Sequence, residues 1–181
     1  MCDIDTLNTL PQDIFRDGCA EVIKYGILYD EAFFRCLADT GLAFDREAVI
    51  ARCVELKRDV VVEDEFDTGA RMKLNLGHTI GHGVESCSRF ALSHGKAVAI
   101  GMAIVARASR CADCDRILAV LQKFGLPTTT AFTARQLFEC ALSDKKRSGG
   151  TVNLIIPNCI GDCAIVPTAV EKIQSFIEAG L

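Results

Sequence analysis

The chain has 181 residues, half of them apolar, and a formal net charge of −4 with the two signs interspersed. That length supports one domain with a real core. The mixed, slightly acidic charge argues against general nucleic-acid binding, which needs a basic face. No apolar run reaches the roughly 18–20 residues that a membrane span requires. The N-terminus has no basic segment followed by an apolar core, so no secretory signal is read, and a cytoplasmic location is expected.

Residues 10–28 read as a helix, with Thr9 as its N-cap and Pro11 in its first turn. Phe15, Cys19, Val22, Ile23, Gly26 and Ile27 form its core stripe. Glu21 and Lys24 lie beside that stripe, three apart, as an ion pair. A short helix at 30–38 is capped by Asp30 and ends near Gly41. Asp45 caps a third helix that runs to about Glu63. Its apolar positions are Val49, Ile50, Cys53, Val54, Val60 and Val61, and Lys57 falls on the same face. Lys57 either snorkels outward or points into a cleft where an anion offsets its desolvation.

An acidic turn at 63–69 precedes a helix at 70–88. That helix and its sequel, RMKLNLGHTIGHGVESCSRFALSH at 71–94, hold all three histidines of the chain, His78, His82 and His94. A spacing of four puts His78 and His82 on one helical face. Asn75, three before His78, and Glu85, three after His82, extend that face, and Arg71 stands a turn further upstream. The glycines Gly77, Gly81 and Gly83 each cost about 1 kcal/mol in a helix relative to alanine. They therefore imply close approach of another backbone or a ligand.

Ser93 caps the next helix, HGKAVAIGMAIVARAS, which is apolar nearly all round and so buried, with His94 at the mouth of the core. Further helices are expected at 112–124, stopped by Gly125 and Pro127, and at 133–142, capped by Thr133. The segment Asp144-Lys145-Lys146-Arg147-Ser148-Gly149-Gly150 reads as a basic loop that either binds phosphate or carboxylate or is a solvated turn. Strands at 152–156 and 163–166 form a hairpin, and Thr168 caps a last helix to Ala179. The expected fold is one mostly α, multi-helix domain over residues 1–181, with a small β-hairpin near the C-terminus.

Ten cysteines in such a chain read as free thiols. Cys36, Cys53 and Cys140 sit at core-type positions. Cys111 and Cys114 with Cys159 and Cys163 offer a four-thiolate zinc site as an alternative, but buried small hydrophobes are the favoured reading. Histidines with a nearby carboxylate are the usual makings of a catalytic zinc site with one open position. His78 and His94 are plausible nitrogen ligands and Glu21 a plausible oxygen ligand; the other reading is that the histidines are merely hydrogen-bonded. An inward cluster of cations needs an anionic ligand or carboxylate partners; a metal together with such cations implies a small, oxygen-rich polyanion as substrate.

GCAEVIKYGILYD (18–30), KRDVVVEDEFDTGARMKLNLGHTIGHGVES (57–86), HGKAVAIGM (94–102), FGLP (124–127) and DKKRSGG (144–150) resemble the C-terminal half of 3-dehydroquinate synthase, in that family's order and over nearly the whole chain. The resemblance implies a helical domain that carries metal and substrate groups. It also implies an N-terminal NAD-binding domain, in cis or in trans, and a homodimer for the full-length enzyme. By motif, Glu21, His78 and His94 match the ligands of Zn2+ (or Co2+). Lys24, Lys57, Arg71, Asn75, His82 and the lysines Lys145 and Lys146 match positions that contact a sugar-phosphate substrate. The implied reaction converts 3-deoxy-D-arabino-heptulosonate 7-phosphate to 3-dehydroquinate with release of phosphate.

Two departures stand out. Lys96 occupies a position where the family usually has glutamate. No strand followed by a Gly-rich nucleotide motif occurs in the 181 residues, so the NAD side of the site is expected on other residues, and these residues alone are expected to be catalytically incomplete. The competing readings are another sugar-phosphate cyclase of the same superfamily, a polyol dehydrogenase relative, or a non-catalytic helical domain.

Overall fold

Side-chain caps fix where several helices begin. The Asp30 carboxylate accepts from the Phe33 amide at 2.9 Å and starts α2, Glu31–Thr40. Asp45 accepts from the Ala48 amide at 3.1 Å and starts α3, Arg46–Glu63. Thr133 and Gln136 exchange hydrogen bonds in a capping box ahead of α7, Ala134–Lys146. The remaining elements are α1 (Gln12–Tyr29), α4 (His78–Cys87), α5 (His94–Ala108), α6 (Cys114–Lys123), β1 (Thr151–Cys159), β2 (Asp162–Ala169) and α8 (Val170–Gly180). This computed structural model describes residues 3–66, 69–146 and 150–181, the side chains of 142–146 excepted.

Helix α5 is the axis of the fold. Every residue from Ala97 to Ala106 is buried, and α1, α4, α6 and α8 pack around it. Its N-terminus is held from outside. The Asp17 carboxylate, on α1, accepts from the amides of Gly95 at 3.1 Å and Lys96 at 2.9 Å, and from the Ser93 hydroxyl. Ser93 stands at the N-cap position, as expected, but the capping oxygens come from Asp17, 78 residues before Gly95. A Cβ on Gly95 would lie 2.0 Å from the Asp17 carbonyl oxygen, so only glycine lets α1 approach this closely.

The expected helix at 70–88 is two elements. A 3-10 turn, Ala70–Asn75, is followed by Gly77 at φ +77, and only then by α4. Left-handed backbone is readily available to glycine alone. Arg71 and Asn75 therefore do not continue the face of His78 and His82. The glycines after the break serve close packing as expected: Gly81 faces the backbone of Ala97 and Gly83 that of Leu137.

Elsewhere α3 buries Val49, Leu56 and Val60, while Val54 is exposed. Cys36 and Cys140 are exposed and Cys53 half-buried; among the described residues Cys19, Cys111 and Cys163 are the buried thiols. The hairpin is longer than expected, pairing Thr151 with Ala169 through Pro157 with Cys163 in antiparallel register. Thr168 lies in β2 and does not cap α8, whose N-cap is Ala169. The hairpin turn docks on α1, where the Gly161 amide donates to the Ile27 carbonyl at 2.8 Å. No helix among the described residues is long and apolar enough to cross a membrane.

One glycine is not spent on packing. Gly18 is exposed within α1, and a Cβ there meets nothing within 4 Å. Gly18→Ala is expected to stabilise the chain by about 0.5–1 kcal/mol through helix propensity. The gain should read as a higher urea midpoint at unchanged slope.

Candidate metal and substrate site

Three elements meet at the N-terminal end of α5. Helix α1 brings Glu21 and Lys24, α4 brings His78, His82 and Glu85, and α5 brings His94 as its first residue. Glu21 Oε1 lies 3.5 Å from His78 Nε2 and 3.8 Å from His94 Nε2. The His78 and His94 rings sit 5.2 Å apart, centre to centre. Glu21, His78 and His94 offer ligand atoms that all lie within 4.8 Å of one another.

Hydrogen bonds to the far side of each ring set its tautomer. His78 Nδ1 lies 3.1 Å from the Leu76 carbonyl oxygen, which can only accept, so Nδ1 carries the proton. His94 Nδ1 lies 3.2 Å from Glu85 Oε1, with the same consequence. With the rings neutral, both Nε2 atoms present lone pairs to Glu21 Oε1, a buried oxygen without a hydrogen-bond partner. Burial, aided by the nearby Lys24 charge, lowers the His78 pKa below its ordinary value. An assembly of three acceptors with no donor among them calls for a cation. In a tetrahedral zinc site with bonds near 2.0–2.1 Å, ligand atoms stand roughly 3.4 Å apart. The separations at Glu21 Oε1 are close to that, so the residues fit the metal.

The other oxygen of Glu21 is engaged. Lys24 Nζ lies 2.5 Å from Glu21 Oε2, and the lysine is 3% exposed. Its pKa is lowered, chiefly by desolvation and against the pull of Glu21. The lysine end of the pair is buried while the Glu21 side chain is 36% exposed, and the contact orients the carboxylate. The Lys57 charge is felt at Lys24, and the Lys57 side chain is open to solvent.

A cleft of about 380 Å³ opens beside the histidines, with Met72, Asn75, His78, Thr79, His82, Thr151 and Asn153 among its lining residues. Asn75 and His82 are thus brought to the cleft. Arg71 is not among its lining residues; its guanidinium donates to the Glu65 carbonyl at 3.0 Å. Lys145 and Lys146 belong to the last turn of α7, not to a loop, and their side chains, with residues 147–149, lie outside the described residues. Sequence reasoning missed Met72, Thr79, Thr151 and Asn153. Thr151 and Asn153 alternate with buried Val152 and Leu154, the period-2 signature that marks one face of a strand.

A second set, His82, Glu85 and His94, also brings ligand atoms within 4.8 Å of one another. There, Glu85 is already the acceptor for His94 Nδ1, so the first set is the better seat. Among the described residues no cysteine belongs to either set, which disfavours a four-thiolate site.

The 3-dehydroquinate synthase C-terminal family matches residues 18–147. The chain is 42% identical to the 3-dehydroquinate synthase of Pelobacter propionicus, over 97% of this chain and 53% of that protein. It thus spans about half the length of this relative. In fold it is similar to a 2-epi-5-epi-valiolone synthase from Streptomyces hygroscopicus subsp. jinggangensis, solved with NAD+ and Zn2+ bound. That match has TM-score 0.79 and 24% identity, over 93% of this chain and 51% of that one. It is also similar to a 2-deoxy-scyllo-inosose synthase complexed with carbaglucose-6-phosphate, NAD+ and Co2+, with TM-score 0.78 and 20% identity, over 96% and 53% of the two chains. At such identities the structural likeness speaks for the fold, and the mostly helical domain with its C-terminal hairpin is that fold. With a family match over most of its length, the chain belongs to the 3-dehydroquinate synthase C-terminal family.

Proposed function

We propose that this chain supplies the metal- and substrate-binding half of a cytoplasmic 3-dehydroquinate synthase. The reaction is conversion of 3-deoxy-D-arabino-heptulosonate 7-phosphate to 3-dehydroquinate and phosphate, on the shikimate route to aromatic amino acids. The observation that carries the reading is the acceptor-only set of Glu21, His78 and His94 beside buried Lys24, at the edge of a polar cleft.

Zn2+ or Co2+ held by these three residues would polarise a substrate hydroxyl and favour its alkoxide. Hydride transfer belongs to NAD, bound mainly by an N-terminal domain in cis or in trans, in a homodimeric full-length enzyme. The chain's own residues bind and orient. Lys24, fixed on Glu21, puts positive charge next to the metal seat. Lys57, Arg71, Lys145 and Lys146 supply the cations that hold carboxylate and phosphate in one orientation. Arg71 does so by leaving the Glu65 carbonyl. Asn75, on the cleft wall, hydrogen-bonds substrate hydroxyls. His82 lines the same wall and lies outside the favoured ligand set, so a ring nitrogen is available to take or give a proton.

The test is turnover. The 181-residue chain with substrate, NAD and zinc is expected to release no phosphate by itself. Adding a separately expressed NAD-binding half from a family relative is expected to restore release, with 3-dehydroquinate identified by mass spectrometry. Substantial turnover by the chain alone would remove the need for a second half. A different cyclised product would favour another sugar-phosphate cyclase, and a complemented, zinc-free, inactive mixture would favour a non-catalytic domain.

A further inference from the structure

Glu85 has no part in the ligand set, yet it is the only group on α4 that touches His94 from the side away from Glu21 among the contacts described. It stands two helical turns after His78, on the face that also carries His82, and so reaches across to the first residue of α5. Its side chain is 14% exposed, whereas that of His94 is 46% exposed. His94 is the least enclosed of the three ligands and sits at the first position of its helix. A neutral imidazole in water is free to carry its proton on either nitrogen; only one choice leaves Nε2 open toward Glu21 Oε1.

We infer that Glu85 is a positioning residue: by accepting the Nδ1 proton of His94 it fixes that ring's orientation and tautomer, and so prepares Nε2 as a ligand. This rests on the metal seat proposed above and deepens it. Carboxylate partners on the outer nitrogen of ligand histidines act in this way, and their loss typically costs 10–100-fold in metal affinity. Leu76 does the same for His78 through a backbone carbonyl, which no side-chain substitution removes. Glu85 is thus the side-chain hydrogen-bond partner through which ring orientation in this seat is open to mutation.

The experiment uses the full chain, Glu85→Ala and Glu85→Gln, with two readouts. In the metal-free proteins, 15N spectra of the histidine rings in mildly alkaline buffer report the tautomer. His94 is expected to carry its proton on Nδ1 in the parent chain and in Glu85→Gln, whose amide oxygen still accepts, and to lose that preference in Glu85→Ala. In the second readout, competition with a chelating dye gives Zn2+ affinity, and the visible absorption of the Co2+ form reports ligand geometry. Glu85→Ala is expected to bind Zn2+ roughly 10–100-fold more weakly, with an altered Co2+ band, and Glu85→Gln to recover most of both. Parent-like tautomer, affinity and spectrum in Glu85→Ala would overturn the inference, as would a loss in Glu85→Gln equal to that in Glu85→Ala. A parent chain with the expected tautomer but no zinc binding would instead overturn the functional reading.

Discussion

His78→Ala is expected to strip the purified chain of bound zinc, lowering stoichiometry from about one ion per chain to near zero by elemental analysis. The substitution removes one of three acceptors that face each other. The two left, Glu21 Oε1 and His94 Nε2, are fewer than the three protein ligands of a catalytic zinc site. The expected loss of affinity is more than about 100-fold, beyond what removal of an outer-shell partner costs. The helix should survive, because α4 is anchored by buried Ile80 and Val84 and by its tight contacts at Gly81 and Gly83; an unchanged circular dichroism spectrum would certify that. Stoichiometric zinc in the variant would mean that the metal sits elsewhere. A cysteine site, for example, would be indifferent to His78.

Gly101→Ala is expected to be strongly destabilising. Its Cβ would lie 2.0 Å from the Gly77 carbonyl oxygen, 2.9 Å from the Gly77 carbonyl carbon and 3.0 Å from the Gly81 nitrogen. All three are backbone atoms, so no flexible side chain can yield; α4 and α5 must separate. Overpacking of this kind costs about 3 kcal/mol, which for a domain of this size lowers Tm by roughly 6–12 °C. Since α4 carries His78 and α5 carries His94, the same separation should weaken zinc binding. Thermal unfolding followed by circular dichroism, together with dye competition, measures both. A Tm equal to that of the parent would show that the helices part at no cost, contrary to the packing described. Gly18→Ala is the control, the same substitution made in open space.

Local chemistry made much of this fold readable. The caps at Asp30, Asp45 and Thr133 depend on residues three positions away. The burial of α5 follows from a run of alanine, glycine and aliphatic residues with no polar face. The pairing of His78 with His82 follows from helical spacing alone.

What escaped depends on distant contacts. The break at Gly77 is imposed by close packing of Met102 and Val98 against that residue, and nothing in the local pattern distinguishes it from Gly81 or Gly83. Asp17 reads as a solvated acid until the fold brings the start of α5 to it. Val54 and Leu56 are equally apolar, and only the arrangement of the neighbouring elements decides which is covered. Spacing cannot link Glu21 to the histidines so far along the chain; family resemblance supplied that link, and the distances at Oε1 agree with it.

The carboxylate of Asp17 has a consequence for how the ion meets the protein. Asp17 lies one helical turn before Glu21, and the amides that it receives follow directly after His94. A strut of hydrogen bonds therefore sets the gap between Glu21 and His94, the proposed ligands on different helices. In small zinc domains the ion's binding energy is folding energy, because the ligands converge only around the metal. At this proposed seat Asp17 ties α1 to the start of α5, so part of the entropy of bringing Glu21 and His94 together is lost in folding itself. A metal ion held at this seat would act as a Lewis acid without also having to fasten the helices together.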